Sequence, residues 1–110
     1  MSVYVDDMAL KADVQNGNRT IKGVWTHLVA DSEAELHQFA LQLGLKRAYC
    51  QYRRSGLTGK PNCHYDLTQS KVKQALQLGA TRITTKEALQ VIEHMDMDNI
   101  KRIQAHEPKT

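Results

Sequence analysis

Lys46-Arg47-Ala48-Tyr49-Cys50-Gln51-Tyr52 reads as a β-strand lying between two helical stretches, and this alternation decides the expected fold. Just upstream, Ser32 with Glu35 three residues on has the form of a capping box. Leu36, Phe39, Ala40 and Leu43 then follow at helical spacing until Gly44 stops the helix. Downstream, a loop with Gly56, Gly59 and Pro61 runs through His64-Tyr65-Asp66 to Thr68. That residue is placed to cap a second helix with Val72, Ala75 and Leu76 inward, closed by Gly79.

Working outward, Val24-Trp25-Thr26-His27-Leu28-Val29-Ala30 and Val3-Tyr4-Val5 read as strands from their β-branched and aromatic content. Thr81-Arg82-Ile83-Thr84 reads as a fourth. Thr84 with Glu87 repeats the capping-box pattern and opens a helix through Leu89 and Ile92, and a further turn or two is expected around Ile100 and Ile103. Asn16-Gly17 favours a tight turn, so Leu10 to Gly23 can add an antiparallel edge hairpin. Ala40-Leu41-Gln42-Leu43-Gly44 recurs as Ala75-Leu76-Gln77-Leu78-Gly79, in each case a helix stopping on glycine. Strands alternating with helices imply right-handed crossovers, hence a small three-layer α/β domain with a mostly parallel sheet of about four strands. One domain over residues 1–106 and a frayed tail at 107–110 are expected from the 110-residue length.

Composition excludes several classes. No run approaches the roughly 18 apolar residues of a membrane helix, and Met1-Ser2-Val3-Tyr4-Val5-Asp6-Asp7 turns acidic where a secretory leader would be basic, so a cytoplasmic location is expected. The net charge of +3, from 15 Lys and Arg against 12 Asp and Glu, is too mild for general nucleic-acid coating. It is unevenly spread: Lys46 to Lys60 holds five cations and no acid, which suits either a phosphate-bearing ligand or a solvated loop. Cys50 and Cys63 lack the CxxC spacing, so reduced thiols are expected. Cys63 beside His64 is a poor zinc pair, because the chain offers no second pair in the usual spacing.

In a parallel sheet, ligands bind past the carboxyl ends of the strands. That rule gathers Asp6, Asp7, Asp31, Gln51, Arg53, Arg54, His64, Tyr65, Asp66 and Thr84 on one rim, with His27 in an apolar strand close by. Asp31, Ser32, Asp66 and Thr68 also precede helices and can be plain caps, and His27 and His37 can be packed interior residues. The convergence of Asp6, His27, Asp31, His64 and Asp66 is therefore the signal rather than any one of them.

These same segments carry a resemblance. Val3-Tyr4-Val5-Asp6-Asp7, Trp25-Thr26-His27-Leu28-Val29-Ala30-Asp31, Glu35-Leu36-His37 with Phe39-Ala40, Arg47, His64-Tyr65-Asp66-Leu67-Thr68 and Gly79-Ala80 resemble, in order and spacing, the bacterial and phage domain-of-unknown-function family 4031. Thr26 stands where serine is more usual, and the loop from Arg53 to Cys63 is longer than typical. The resemblance implies that Asp6, His27, Asp31, His37, His64 and Asp66 occupy motif positions, and it carries no reaction.

Two functions fit the residues. In the first, the protein binds a nucleotide or another phosphorylated small molecule, such as a signalling nucleotide sequestered in a phage setting. Arg47, Arg53, Arg54 and Lys60 would meet phosphate, and Asp6, His27, Asp31, His64, Tyr65 and Asp66 would shape the site. In the second, Asp6, Asp31 and Asp66 hold Mg²⁺ or Mn²⁺ and a histidine serves as acid or base in phosphoester hydrolysis. No cofactor is implied outside that second reading, and self-association stays open.

Overall fold

A computed structural model describes residues 2–8, 10–16, 19–54, 56, 59 and 61–96. The helical turns expected around Ile100 and Ile103, the tail at 107–110 and Lys60 lie outside the described residues.

The first strand, β1 (Val3–Val5), sits inside the sheet, and β2 (Leu10–Asn16) forms a long antiparallel hairpin with β3 (Arg19–Ala30), from Asn16 opposite Arg19 to Leu10 opposite Trp25. The edge hairpin is thus present. Helix α1 (Glu33–Gln42) starts where Ser32 accepts the Glu35 N–H. The Glu35 side chain does not close the expected box and accepts the Ser2 N–H instead, at 2.8 Å.

Beyond α1 the structure departs from the expected strand. Arg47–Tyr49 is a single 3-10 turn, and the strand proper, β4 (Gln51–Arg54), begins later. Residues 61–67, expected as a loop entering a helix, form a further strand, β5 (Pro61–Leu67), paired antiparallel with β4 from Gln51 opposite His64 to Arg54 opposite Pro61. Helix α2 (Gln69–Gln77) follows, with Thr68 at its start but making no side-chain capping bond. Next come the two-residue strand β6 (Thr81–Arg82) and helix α3 (Thr85–Glu93), opened by a complete Thr84/Glu87 capping box.

The sheet order is β4-β5-β3-β1-β6, with β2 on the outer half of β3. The pairings β1–β3, β2–β3, β3–β5 and β4–β5 are antiparallel, and only β1–β6, with Tyr4 opposite Thr81, is parallel among the described strands. The expected mostly parallel sheet of about four strands is therefore wrong: this is a six-stranded, mostly antiparallel mixed sheet. The β4–β5 hairpin is the physical reason. It reverses the chain before α2, so the helix that looked like a crossover between parallel strands begins at the end of a returning hairpin strand.

Side-chain alternation gives the sheet two unlike faces. Val3, Val5, Leu28, Ala30, Cys63, Tyr65 and Leu67 point to one side, where Leu36, Phe39 and Ala40 of α1, with Leu43 just beyond it, and Val72 and Ala75 of α2 close over them. On the other side Val29 packs under Ala88 and Ile92 of α3, flanked by Tyr4, Ile83 and Val91. The repeated Ala-Leu-Gln-Leu-Gly ends both helices in one way. Leu45 N–H donates to the Ala40 carbonyl and Ala80 N–H to the Ala75 carbonyl, with Gly44 and Gly79 at positive φ (77° and 106°), where a side chain is disfavoured. No helix among the described residues is long and apolar enough to cross a membrane.

Candidate metal centre beside a buried aspartate

Asp6 is the residue just past β1 and is fully buried. Its N–H continues the β1–β3 ladder by donating to the His27 carbonyl, at 3.1 Å. Burying a carboxyl group is costly unless its oxygens are satisfied. Here Oδ1 accepts the backbone N–H groups of His27 (3.1 Å) and Met8 (3.2 Å), and Oδ2 lies 2.6 Å from His27 Nδ1. Arg82 Nη1 donates to the Asp6 carbonyl, at 3.1 Å, tying β6 to the same point.

With Nδ1 occupied by Asp6, His27 turns Nε2 toward β5. The antiparallel register sets His27 opposite Asp66, and His27 Nε2 stands 3.7 Å from Asp66 Oδ1. Two residues back along β5 and on the same face, His64 Nε2 stands 3.8 Å from the same oxygen, and the two imidazoles meet edge to face with centroids 5.1 Å apart. Ligand atoms of His27, His64 and Asp66 all lie within 4.8 Å of one another. His64 Nδ1 is buried with no hydrogen-bond partner among the described residues.

The two histidines are tuned in opposite directions. The hydrogen bond to Asp6 raises the pKa of His27 above the ordinary imidazole value. It outweighs the opposing effect of burial, and the negative charges of Asp6 and Asp66 add to it. Burial lowers the pKa of His64; the Asp66 charge, with a smaller contribution from Asp6, opposes this, while the charges of His27 and Arg53 reinforce it. One nitrogen ligand is thus held by a carboxylate and the other is kept neutral by desolvation. Two imidazoles suit a borderline ion such as Zn²⁺, and the carboxylate also suits the harder Mn²⁺; a buried carboxylate behind a ligating histidine is a common way to fix its tautomer and orientation.

The other expected site residues fall elsewhere. Asp31 lies just past β3, and because β3 runs antiparallel to β1, it sits beside Ser2, at the opposite end of the sheet from Asp6. Its carboxylate accepts the Tyr4 hydroxyl, at 3.1 Å, in a depression of about 310 Å³ that Ile83, Glu87 and His94 also line. The rim of strand carboxyl ends therefore does not exist as expected, and a three-carboxylate Mg²⁺ site is not formed, since the oxygens of Asp6 are engaged by His27 and Met8. Tyr65, between His64 and Asp66 in sequence, points to the opposite face. Arg47 lies 4.0 Å from Glu33, and Arg54 donates to the Gly59 carbonyl at 2.6 Å. Of the three arginines, Arg53 comes to the histidine face, paired in register with Asn62 and exposed.

Cys50 and Cys63 are joined in a disulfide with Cα atoms 5.8 Å apart, so the expectation of reduced thiols is also corrected. Their 13-residue separation, which carried no pairing signal, is spanned by the β4–β5 hairpin that brings them together. Sequence reasoning missed Asn62, a buried amide whose Nδ2 donates to the Ile92 carbonyl at 2.7 Å and ties β5 to α3. The polar alternation of Asn62, His64 and Asp66 was the signal that could have found it.

A family model described as a protein of unknown function, DUF4031, matches residues 3–95. No curated protein and no solved structure is detectably similar to the chain.

Proposed function

The chain belongs to the DUF4031 family, and from the geometry around Asp6 we propose that it is a divalent-metal-dependent phosphoester hydrolase. The observation that carries this reading is the convergence of His27 Nε2, His64 Nε2 and Asp66 Oδ1 in front of a fully buried Asp6 that holds the far nitrogen of His27. His27, His64 and Asp66 would hold the ion. Such an ion polarises a phosphoryl oxygen and makes water a better nucleophile near neutral pH. Asp6 keeps the Nδ1 proton of His27 in place, so that Nε2 presents its lone pair. Arg53 offers a guanidinium fork to a phosphate on the same face.

Simple binding of a nucleotide finds less support, because of the three arginines expected to meet phosphate, Arg47 and Arg54 lie against Glu33 and the Gly59 carbonyl and Arg53 alone comes to the histidine face. Calorimetric titration with Mn²⁺ and Zn²⁺, followed by a phosphodiester and nucleotide turnover panel, tests the reading. Metal-dependent product formation that disappears in His64→Ala and Asp66→Asn is expected. Absence of metal binding overturns it, and phosphate-ligand binding without turnover in any metal returns the protein to the binding class.

A further inference from the structure

The opposite face of β5 carries a second set of donors that the hydrolase reading does not use. Cys63 is fully buried, and its Sγ lies 3.9 Å from His37 Nε2. The ligand atoms of His37, Cys50 and Cys63 lie within 4.8 Å of one another. On the other side of the same nitrogen, Glu33 Oε1 is 3.0 Å away, one helical turn before His37 on α1. His37 Nδ1 meets the Tyr65 hydroxyl at 2.7 Å.

We propose that reduction of the Cys50–Cys63 disulfide turns this cluster into a zinc site, with Cys50 Sγ, Cys63 Sγ and His37 Nε2 as its three protein ligands. The spacing suits the ion. Tetrahedral zinc, with bonds of about 2.0–2.3 Å, sets its ligand atoms roughly 3.3–3.8 Å apart, close to the 3.9 Å between Cys63 Sγ and His37 Nε2. The ring is also prepared for either role. While Nε2 donates to Glu33, Nδ1 accepts from the Tyr65 hydroxyl; when Nε2 gives its lone pair to zinc, Nδ1–H donates to the same hydroxyl, which serves as donor or acceptor. Thiolates select zinc over the hard ions.

The chemistry balances with a thiol reductant. Two thiol molecules transfer two electrons and two protons to the S–S bond and leave as their own disulfide, while Cys50 and Cys63 become thiols. Zn²⁺ then displaces both thiol protons to solvent. The proposal is independent of the His27 site, since β5 sends Cys63 and His64 to opposite faces of the sheet.

The test uses Co²⁺ as the spectroscopic probe and the intact chain, oxidised or reduced with a phosphine that does not compete for metal. Reduced protein is expected to take up one Co²⁺ more than oxidised protein and to develop a sulfur-to-cobalt charge-transfer band, which one equivalent of Zn²⁺ abolishes. Cys50→Ala and His37→Gln remove the band, whereas Asp66→Asn leaves it unchanged, separating this site from the one around His27. Far-ultraviolet circular dichroism of each sample reports folding. No thiolate band in reduced wild type overturns the proposal, whether the protein is folded or has unfolded and is not restored by Co²⁺. A band that survives both Cys50→Ala and His37→Gln also overturns it.

Discussion

Leu28, Tyr65 and Leu67 alternate along β3 and β5 with His27, His64 and Asp66, yet the two sets meet opposite fates. The first set lies under two helices, with Leu28 and Leu67 at 0% and Tyr65 at 1% exposure. The second lies on the face covered by α3, whose packed residues gather around Val29 rather than around the histidines. The apolar face stabilises by area removed from water, about 1.5–3 kcal/mol for each large side chain fully buried. The polar face costs free energy wherever a buried group lacks a partner, so it is arranged around bonds to Asp6. A strand can thus serve stability and chemistry at once, because adjacent residues answer to different surroundings.

Breaking the apolar side has the largest expected effect. Leu28→Ala should lower unfolding free energy by about 2–5 kcal/mol in urea titrations, through lost burial and a cavity. A cost near zero would show that α1 and α2 do not close over that face. Next comes the buried carboxylate behind the histidines. Asp6→Ala leaves the part-buried His27 and Met8 N–H groups without their acceptor, for about 1–3 kcal/mol of stability, and should weaken Mn²⁺ or Zn²⁺ binding about 10–100-fold by freeing the His27 ring.

His64→Ala sharpens the contrast from the other side. His64 Nδ1 has no described partner to orphan, so the thermal midpoint of the metal-free protein should hardly move. Stabilisation by added metal, which follows RT ln(1 + [L]/Kd), should vanish. A large midpoint loss without metal would return His64 to a structural role.

The smallest effect expected is on pH. His27, with its raised pKa, contributes stability that is complete below the unfolded-state value of about 6.5 and lost as pH rises through its folded value. His64, with its lowered pKa, contributes stability present above about 6.5 and lost as pH falls toward its folded value. Metal-free unfolding free energy from this pair should therefore peak near 6.5. His27→Gln should flatten the alkaline limb and His64→Gln the acid one.

Much of the frame was legible. Ser32, Thr84, Gly44 and Gly79 act within a few residues of themselves, and their helix boundaries follow from local hydrogen bonds that the sequence declares. Val3–Val5 and the strand ending at Ala30 were also readable from side-chain type. Strand direction was not, because it depends on whether Pro61–Leu67 returns along Gln51–Arg54. Gly56 and Gly59 before it and Pro61 at its start pointed to a loop, while the alternation of Cys63, Tyr65 and Leu67 against Asn62, His64 and Asp66 passed unread.

That one reading decided the site as well. The structure brings Asp6, His27, His64 and Asp66 together, but not by the expected rule, since His27 sits mid-strand and meets Asp6 through antiparallel register. Asp31 was added by the same rule, and antiparallel register sends it to the far end.

The placement of β1 between β3 and β6 also orders the assembly of the chain in time. Asp6 meets His27 across only 21 residues, whereas its bond from Arg82 spans 76 and the bond of Asp7 to Thr85 spans 78. Contacts closing long loops form late and slow the search, because the entropy of closure must be met before they give any return. During synthesis the β1–β3 pair and its Asp6–His27 bond can therefore form while the far edge of β1 still waits for the residues that will cover it. Until Thr81 and Arg82 emerge, that edge of β1 has unpaired backbone groups, which can pair with another chain until β6 covers them.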